Sequence, residues 1–166
     1  MRYAKIVNEE ISNGTGVGVS IFFQGCHFHC KNCFNPETWD YKGGNEWTEK
    51  TDDALRELIS KPYIKRVSLL GGEPMDQSHY VFAISYFVRA YRDDIKIWLY
   101  TGYTFEDILD NPEKTLDISG VDVMVDGQFV EELKDLSLPF RGSSNQRIID
   151  VQESLRNKNV ILWQLS

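Results

Sequence analysis

The sequence has no apolar run long enough to cross a bilayer, and its Met1-Arg2-Tyr3 start lacks the apolar stretch of a secretory signal. Those two absences predict a cytoplasmic protein. Basic charge is also scarce: 18 lysines and arginines stand against 25 acidic residues, a formal net charge of −7. Such a chain repels polyanions on average and its basic residues form no stripe, so DNA and RNA are not expected partners. No repeat, low-complexity tract or linker-like stretch interrupts it, which predicts one domain over residues 1–166. Cysteine is the scarcest informative residue. Only Cys26, Cys30 and Cys33 occur, an odd number that argues against a disulfide framework.

What is present is their clustering. Three thiols within eight residues and none elsewhere point to a shared ligand rather than to dispersed core cysteines. A C-x3-C-x2-C loop supplies three thiolates, where a closed iron–sulfur cube takes four. The fourth iron then keeps an exchangeable position, the mark of a catalytic rather than a structural metal site. A structural zinc site using His27 or His29 is the competing reading. It is disfavoured because such sites draw paired ligands from two separate loops. The two histidines otherwise read as exposed loop residues or as donors behind the ligands.

Val17–Gln24 reads as a buried strand running directly into Gly25-Cys26. A helix follows from Thr48 or Thr51 to about Ser60, with Ala54, Leu55, Leu58 and Ile59 inward, ended by Pro62. Arg66–Leu70 is a second strand, ending at Gly71-Gly72-Glu73-Pro74. Asp76–Arg92 carries Val81, Ile84, Phe87, Val88 and Tyr91 at helical spacing. Ile95–Tyr100 is a third strand, ending at Thr101-Gly102, and a short helix covers Thr104–Leu109. Val121–Val125 is a fourth strand, ending at Asp126-Gly127. Weaker strands fall near Arg147–Asp150 and Val160–Trp163, with a closing helix between them.

This alternation predicts an α/β fold with a mainly parallel sheet, whose ligands gather at the carboxyl ends of the strands. The cysteines, Gly71–Pro74, Thr101-Gly102 and Asp126-Gly127 all follow strands, so they are expected to share one site. Gly14, Gly16 and Gly18 precede a strand, without the G-K-[ST] of a phosphate loop, and read as a turn. After Arg66–Leu70, two glycines allow close approach of backbone to a ligand, and Glu73 offers an acceptor for an ammonium group.

C-x3-C-x2-C after one strand and GGEP after the next resembles the radical S-adenosylmethionine superfamily. Within it, the chain is similar to the subgroup that activates anaerobic ribonucleoside-triphosphate reductase. The likeness continues through Phe34–Asp40, Trp98–Tyr103, Asp122–Phe129 and Phe140–Arg147 (FRGSSNQR). It implies an incomplete, open (βα) barrel of the radical S-adenosylmethionine type. It implies further that Cys26, Cys30 and Cys33 hold a 4Fe-4S cluster whose open iron binds S-adenosylmethionine. Gly71, Gly72, Glu73 and Pro74 then take the cofactor's ammonium end. Many superfamily members place an aromatic residue before the third cysteine; here Asn32 stands there, which shifts the implied adenine contact to backbone around Asn32, Cys33 and Phe34.

The reaction so implied is one-electron cleavage of the sulfonium to methionine and a 5′-deoxyadenosyl radical. That radical takes hydrogen from a glycine of the reductase, with a flavodoxin-like protein as the electron donor. Thr101, Asp126 and Gln128 either contact the cofactor or satisfy backbone donors. Trp39, Tyr103 and Phe129 either frame the mouth of the site or belong to the core. Ser143, Ser144, Asn145 and Arg147 serve a partner surface or local turn bonding. Another radical enzyme, or a non-catalytic iron–sulfur or zinc module, is the alternative. The first would want a fuller barrel or extra cysteines, the second a fourth thiolate.

Overall fold

A computed structural model describes residues 1–165. It contains one seven-stranded sheet. In chain order the elements are β1 (Arg2–Glu10), β2 (Gly18–Phe23), β3 (Asn45–Glu46), α1 (Glu49–Ile59), β4 (Arg66–Gly71) and α2 (Ser78–Tyr91). They continue with β5 (Lys96–Tyr100), α3 (Phe105–Leu109), α4 (Pro112–Asp117), β6 (Val123–Asp126), β7 (Arg147–Asp150) and α5 (Val151–Asn157). The strand order is β3-β1-β2-β4-β5-β6-β7. The central β2, β4, β5 and β6 run parallel, while β1, β3 and β7 are antiparallel to their neighbours. The sheet is therefore mixed and stays open, with β3 and β7 at its edges.

Alternation along the strands sends side chains to two faces. Val67, Leu69, Ile97, Leu99 and Met124 pack against the helices, meeting Leu55 and Ile59 of α1 and Val81, Ile84 and Val88 of α2. A fully buried Leu or Ile of this kind contributes about 1.5–3 kcal/mol. On the opposite face Trp98, Val123, Val125 and Ile148 pack with Tyr100, Phe140 and Trp163. Among the described residues, no α-helix contributes to that cluster. A strap from Gly127 to Gln146 and the turn between β1 and β2 cover it instead. Arg66, fully buried there, donates to the carbonyls of Gly14, Gly16 and Glu10 and pairs with the Glu10 carboxylate. The glycine turn is thus anchored rather than loose. A Cβ at Gly18 would stand 2.7 Å from the Arg66 guanidinium, and one at Gly14 2.7 Å from the Trp98 ring.

Several expectations need correcting. A nine-residue strand, β1, precedes the expected first one. Its RYAKIVNEE sequence mixes charges without clean alternation, and its register shifts on both sides of the stretch that pairs regularly with β2. The helix expected from Asp76 starts at Ser78, because Pro74–Gln77 form a 3-10 turn ahead of it. Ala54 and Tyr91 are exposed rather than inward. The expected strand at Val160–Trp163 reduces to a single bridge between Ile149 and Leu162. Its neighbour α5 is present, while Ser166 lies outside the described residues. The short α4 and β3 carry too little periodicity to be read in advance. Among the described residues, no helix is long and apolar enough to cross a membrane.

Candidate functional site

The parallel strands deliver their four following turns to one edge of the sheet. A cavity of about 590 Å³ opens there, extending over the helix-free face. Cys26, Cys30 and Cys33 line it, opposite Gly71, Gly72 and Glu73, with Thr101 and Gln128 at its side. The cysteines, Gly71–Glu73, Thr101-Gly102 and Gly127 converge as expected, while Pro74 and Asp126 do not line this cavity.

The cysteine loop and the GGEP turn are sewn together through main chain. Glu73 N–H donates to the Gly25 carbonyl at 2.7 Å, and Gly72 N–H to the Phe23 carbonyl at 2.9 Å. On the loop's other side, Gly25 N–H donates to Thr38 and Cys26 N–H to Trp39. His29 and Asn32 take left-handed backbone conformations, φ 49° and 55°, which curl the loop between its cysteines.

The three thiols are free and half-buried. Burial pushes Cys26 up to about 11, against which the Phe28 and His29 N–H groups pull downward. Cys30 is also raised, first by burial and then by Cys33 beside it, and is opposed by the Phe129 N–H. Cys33 Sγ accepts from Asn35 N–H at 3.4 Å. Each sulfur thus has a main-chain donor suited to a thiolate, and at Cys26 and Cys30 burial and the Glu73 carboxylate withhold ionisation until a metal takes the charge.

Among the described residues, no three His, Cys, Asp or Glu side chains converge on one point as ligands of a single ion do. The two histidines are engaged elsewhere: His27 Nδ1 is 2.8 Å from Asp76, and His29 stacks on Trp39. A mononuclear zinc site therefore lacks a fourth ligand. Three separated thiols of one loop, facing one cavity and each met by N–H donors, fit an iron–sulfur cube with one uncapped iron.

Glu73 is 1% exposed, and its carboxylate takes three hydrogen bonds from the chain. One oxygen accepts from Met75 N–H at 2.9 Å and the Thr101 hydroxyl at 2.6 Å, the other from Gly102 N–H at 2.7 Å. It ties the β4 turn to the β5 turn, so its side chain is a brace at the edge of the cavity. Burial raises its pKa from 4.5 to about 7, although those three hydrogen bonds lower it. Proton binding to Glu73 consequently favours the folded state. The contribution is complete below pH 4.5 and is lost as pH rises through about 7. At 1.36 kcal/mol per pH unit this amounts to about 3 kcal/mol. Urea unfolding of the metal-free protein should give stability falling from pH 5 to 8, and Glu73→Gln should flatten that slope. An unchanged slope in the variant would assign the pH dependence to other groups.

Asp76, two residues beyond Pro74, accepts hydrogen bonds from His27 Nδ1, from the Tyr103 hydroxyl at 2.9 Å and from the Tyr41 hydroxyl. Burial pushes its carboxyl upward, but these donors hold it below its ordinary value. One carboxylate thereby joins the cysteine loop, the segment after it and the β5 turn. Sequence reasoning missed it, because an acidic residue at the start of a helix has a sufficient local explanation.

The remaining expected residues divide. Thr101 is buried and braces Glu73. Pro74 is buried beneath the turn and Asn32 is exposed; neither lines the cavity, whereas Phe34 does. Asp126 faces away from the thiols: it takes Phe105 N–H at 2.8 Å and pairs with Arg147, lining a neighbouring cavity of about 760 Å³. Trp39 and Phe129 line the thiol cavity, and Tyr103 the neighbouring one. Ser143 accepts from Val130 N–H and Asn145 donates to the Gln128 carbonyl, so much of FRGSSNQR serves local bonding. Its hub is Gln146, which the sequence did not single out. That side chain accepts from Gly142 and Ser143 N–H and donates to the Gly127 carbonyl.

Comparison with known proteins agrees with this site. The 4Fe-4S single cluster domain family matches residues 12–149. A protein of Vibrio cholerae named anaerobic ribonucleoside-triphosphate reductase-activating protein is 35% identical over 152 residues, covering 89% of this chain and 97% of the relative. Proteins of the same name from Escherichia coli and Haemophilus influenzae are 33% and 30% identical. They cover 88% and 89% of this chain, and 96% and 97% of their own lengths.

Proposed function

We propose that this chain, which belongs to the family of anaerobic ribonucleoside-triphosphate reductase-activating proteins and has its 4Fe-4S domain, installs a glycyl radical on that reductase by reductive cleavage of S-adenosylmethionine. The observation that carries the reading is one cavity lined both by three thiols lacking a fourth and by the GGEP turn.

Cys26, Cys30 and Cys33 would hold the cluster. Gly71 and Gly72 present main chain to the ammonium end of S-adenosylmethionine, because the Glu73 carboxylate is committed to Thr101, Met75 and Gly102. Gln128 and the backbone around Cys33 and Phe34 border the space left for its nucleoside. When bound, the reduced cluster and S-adenosylmethionine supply one-electron cleavage of a sulfonium and, from it, a carbon radical strong enough to take hydrogen from glycine. Phe22, Leu70, Phe129 and Phe140 line the cavity over the sheet and exclude water from that chemistry. The open sheet is read as an incomplete (βα) barrel, an architecture that admits a loop of a protein substrate. A flavodoxin-like protein is the proposed electron donor, with both proteins in the cytoplasm.

The test is anaerobic reconstitution with iron and sulfide, then reduction in the presence of S-adenosylmethionine. The expected result is 5′-deoxyadenosine in the absence of reductase, and a glycyl radical signal in electron paramagnetic resonance once the reductase is added. A four-iron cluster that forms but never cleaves the cofactor would turn the reading to an electron carrier. Zinc uptake without iron assembly would turn it to a structural site.

A further inference from the structure

Among the described residues, Gln128 is the one side chain hydrogen-bonded to a thiol: its Oε1 lies 3.9 Å from Cys30 Sγ. The other donors at the sulfurs are main chain, from Phe28 and His29 at Cys26, Phe129 at Cys30 and Asn35 at Cys33. Among the described residues the Gln128 amide has no second partner, and its side chain is exposed, so it is free to turn about its last torsion. Its backbone, by contrast, is pinned. Gly127 N–H donates to the Tyr103 carbonyl at 3.1 Å, Gln146 Nε2 to the Gly127 carbonyl at 3.0 Å, and Asn145 Nδ2 to the Gln128 carbonyl at 2.8 Å. The strap therefore delivers a rotatable amide to a fixed place beside Cys30.

In the metal-free protein the thiol S–H donates to the amide oxygen. A thiolate ligand has no proton to give, so the same contact persists only with the amide reversed and its NH2 group facing sulfur. We propose that Gln128 is a positioning residue that donates an N–H to the Cys30 thiolate and raises the reduction potential of the cluster. This rests on the cluster-binding reading above. Reduction adds one negative charge to the cube, and an N–H donor at a ligand sulfur stabilises the more negative state. The setting gives that donor work to do. Glu73 bears electrostatically on both Cys26 and Cys30, and Asp76 on Cys26, and both carboxylates disfavour added electrons. Gln128 and the Phe129 N–H offset them at Cys30.

The experiment is potentiometric titration of the reconstituted protein, monitored by electron paramagnetic resonance without S-adenosylmethionine, so that any contact to the cofactor plays no part. Gln128→Leu should move the midpoint to a more negative value. The expected size is on the order of a tenfold fall in the reduced-to-oxidised ratio at a given potential, which for a one-electron couple is about 59 mV. Gln128→Glu keeps shape and acceptor but sets a carboxylate against sulfur, and should shift the midpoint at least as far in the same direction. Gln128→Asn, with its amide withdrawn by one methylene, gives a smaller shift of the same sign and serves where a bulkier change hampers assembly. Wild-type midpoints in the Leu and Glu variants, or recovery of the wild-type value by Glu alone, overturn the inference while leaving the cluster and its cleavage chemistry standing. A wild-type protein that assembles no four-iron cluster overturns both.

Discussion

Replacement of any one of Cys26, Cys30 or Cys33 by alanine should abolish cofactor cleavage while leaving the fold of the metal-free protein almost untouched. The two halves of that expectation have separate causes. Each thiol sits in a half-exposed loop whose shape is set by main-chain bonds, such as Gly25 to Thr38 and Cys26 to Trp39, that alanine preserves. Loss of a surface thiol in such a place costs within about 0.5 kcal/mol. The cluster has no such tolerance. With no fourth cysteine in the chain, loss of one thiolate exposes a second iron and nothing replaces it. Cleavage of S-adenosylmethionine should fall by more than about 10³-fold, the scale expected when one member of a group acting as a unit is removed. Iron content and the visible charge-transfer absorption should fall with it, while the melting temperature of the metal-free protein stays put. A single variant that keeps full iron and full turnover would remove that cysteine from the ligand set.

Gly72→Ala should damage both stability and cofactor binding, although it adds a single methyl group. Its Cβ would lie 2.3 Å from the Gly25 carbonyl oxygen and 2.9 Å from the carbonyl carbon. That oxygen is the acceptor for Glu73 N–H, and Gly25 leads directly into the first cysteine. Backbone cannot rotate aside as a side chain does, so the GGEP turn must lift from the cysteine loop. Overpacking of this kind costs about 1–3 kcal/mol. For a chain of this size each kcal/mol lowers the melting temperature by about 2–4 °C. Separation of the two loops also displaces the Glu73 brace, so S-adenosylmethionine affinity should fall more than tenfold on the same energetic scale. Calorimetry of the metal-free protein and equilibrium binding of the cofactor to the reconstituted protein check the two effects. Wild-type values in both would mean that the two loops are not in the contact described.

Much of the site was legible because its signals are local. Three cysteines within eight residues, a GGEP turn and strands ending in polar or glycine-rich turns can each be read without a partner. The parallel order of β2, β4, β5 and β6 then brings them to one edge. The contacts that hold the site in shape were not legible. Asp76 receives Tyr41 and Tyr103 from 35 and 27 residues away, and Gln146 reaches back 19 residues to the Gly127 carbonyl. Side-chain bonds of such separation leave no period in a sequence. Glu73 was expected to offer its carboxylate to a ligand, and the geometry adds that the same carboxylate also takes Thr101, Met75 and Gly102. β1 escaped notice for the opposite reason: its residues are neither alternating nor uniformly apolar, and it is a strand chiefly because β2 offers it an edge to pair with.

The reversal of β7 also sets the strap apart from the frame beneath it. Because β7 runs antiparallel to β6, with Arg147 opposite Asp126, the strap leaves and rejoins the sheet at neighbouring points of the same edge. A change of length between those points leaves the register of β6 and β7 intact, since anchors at Gly127 and Gln146 close the loop, while Gln128, Phe129 and Phe140 must keep their places at the cavity. The fold thus separates a frame, where three thiols and a glycine turn meet, from a covering loop anchored at its two ends.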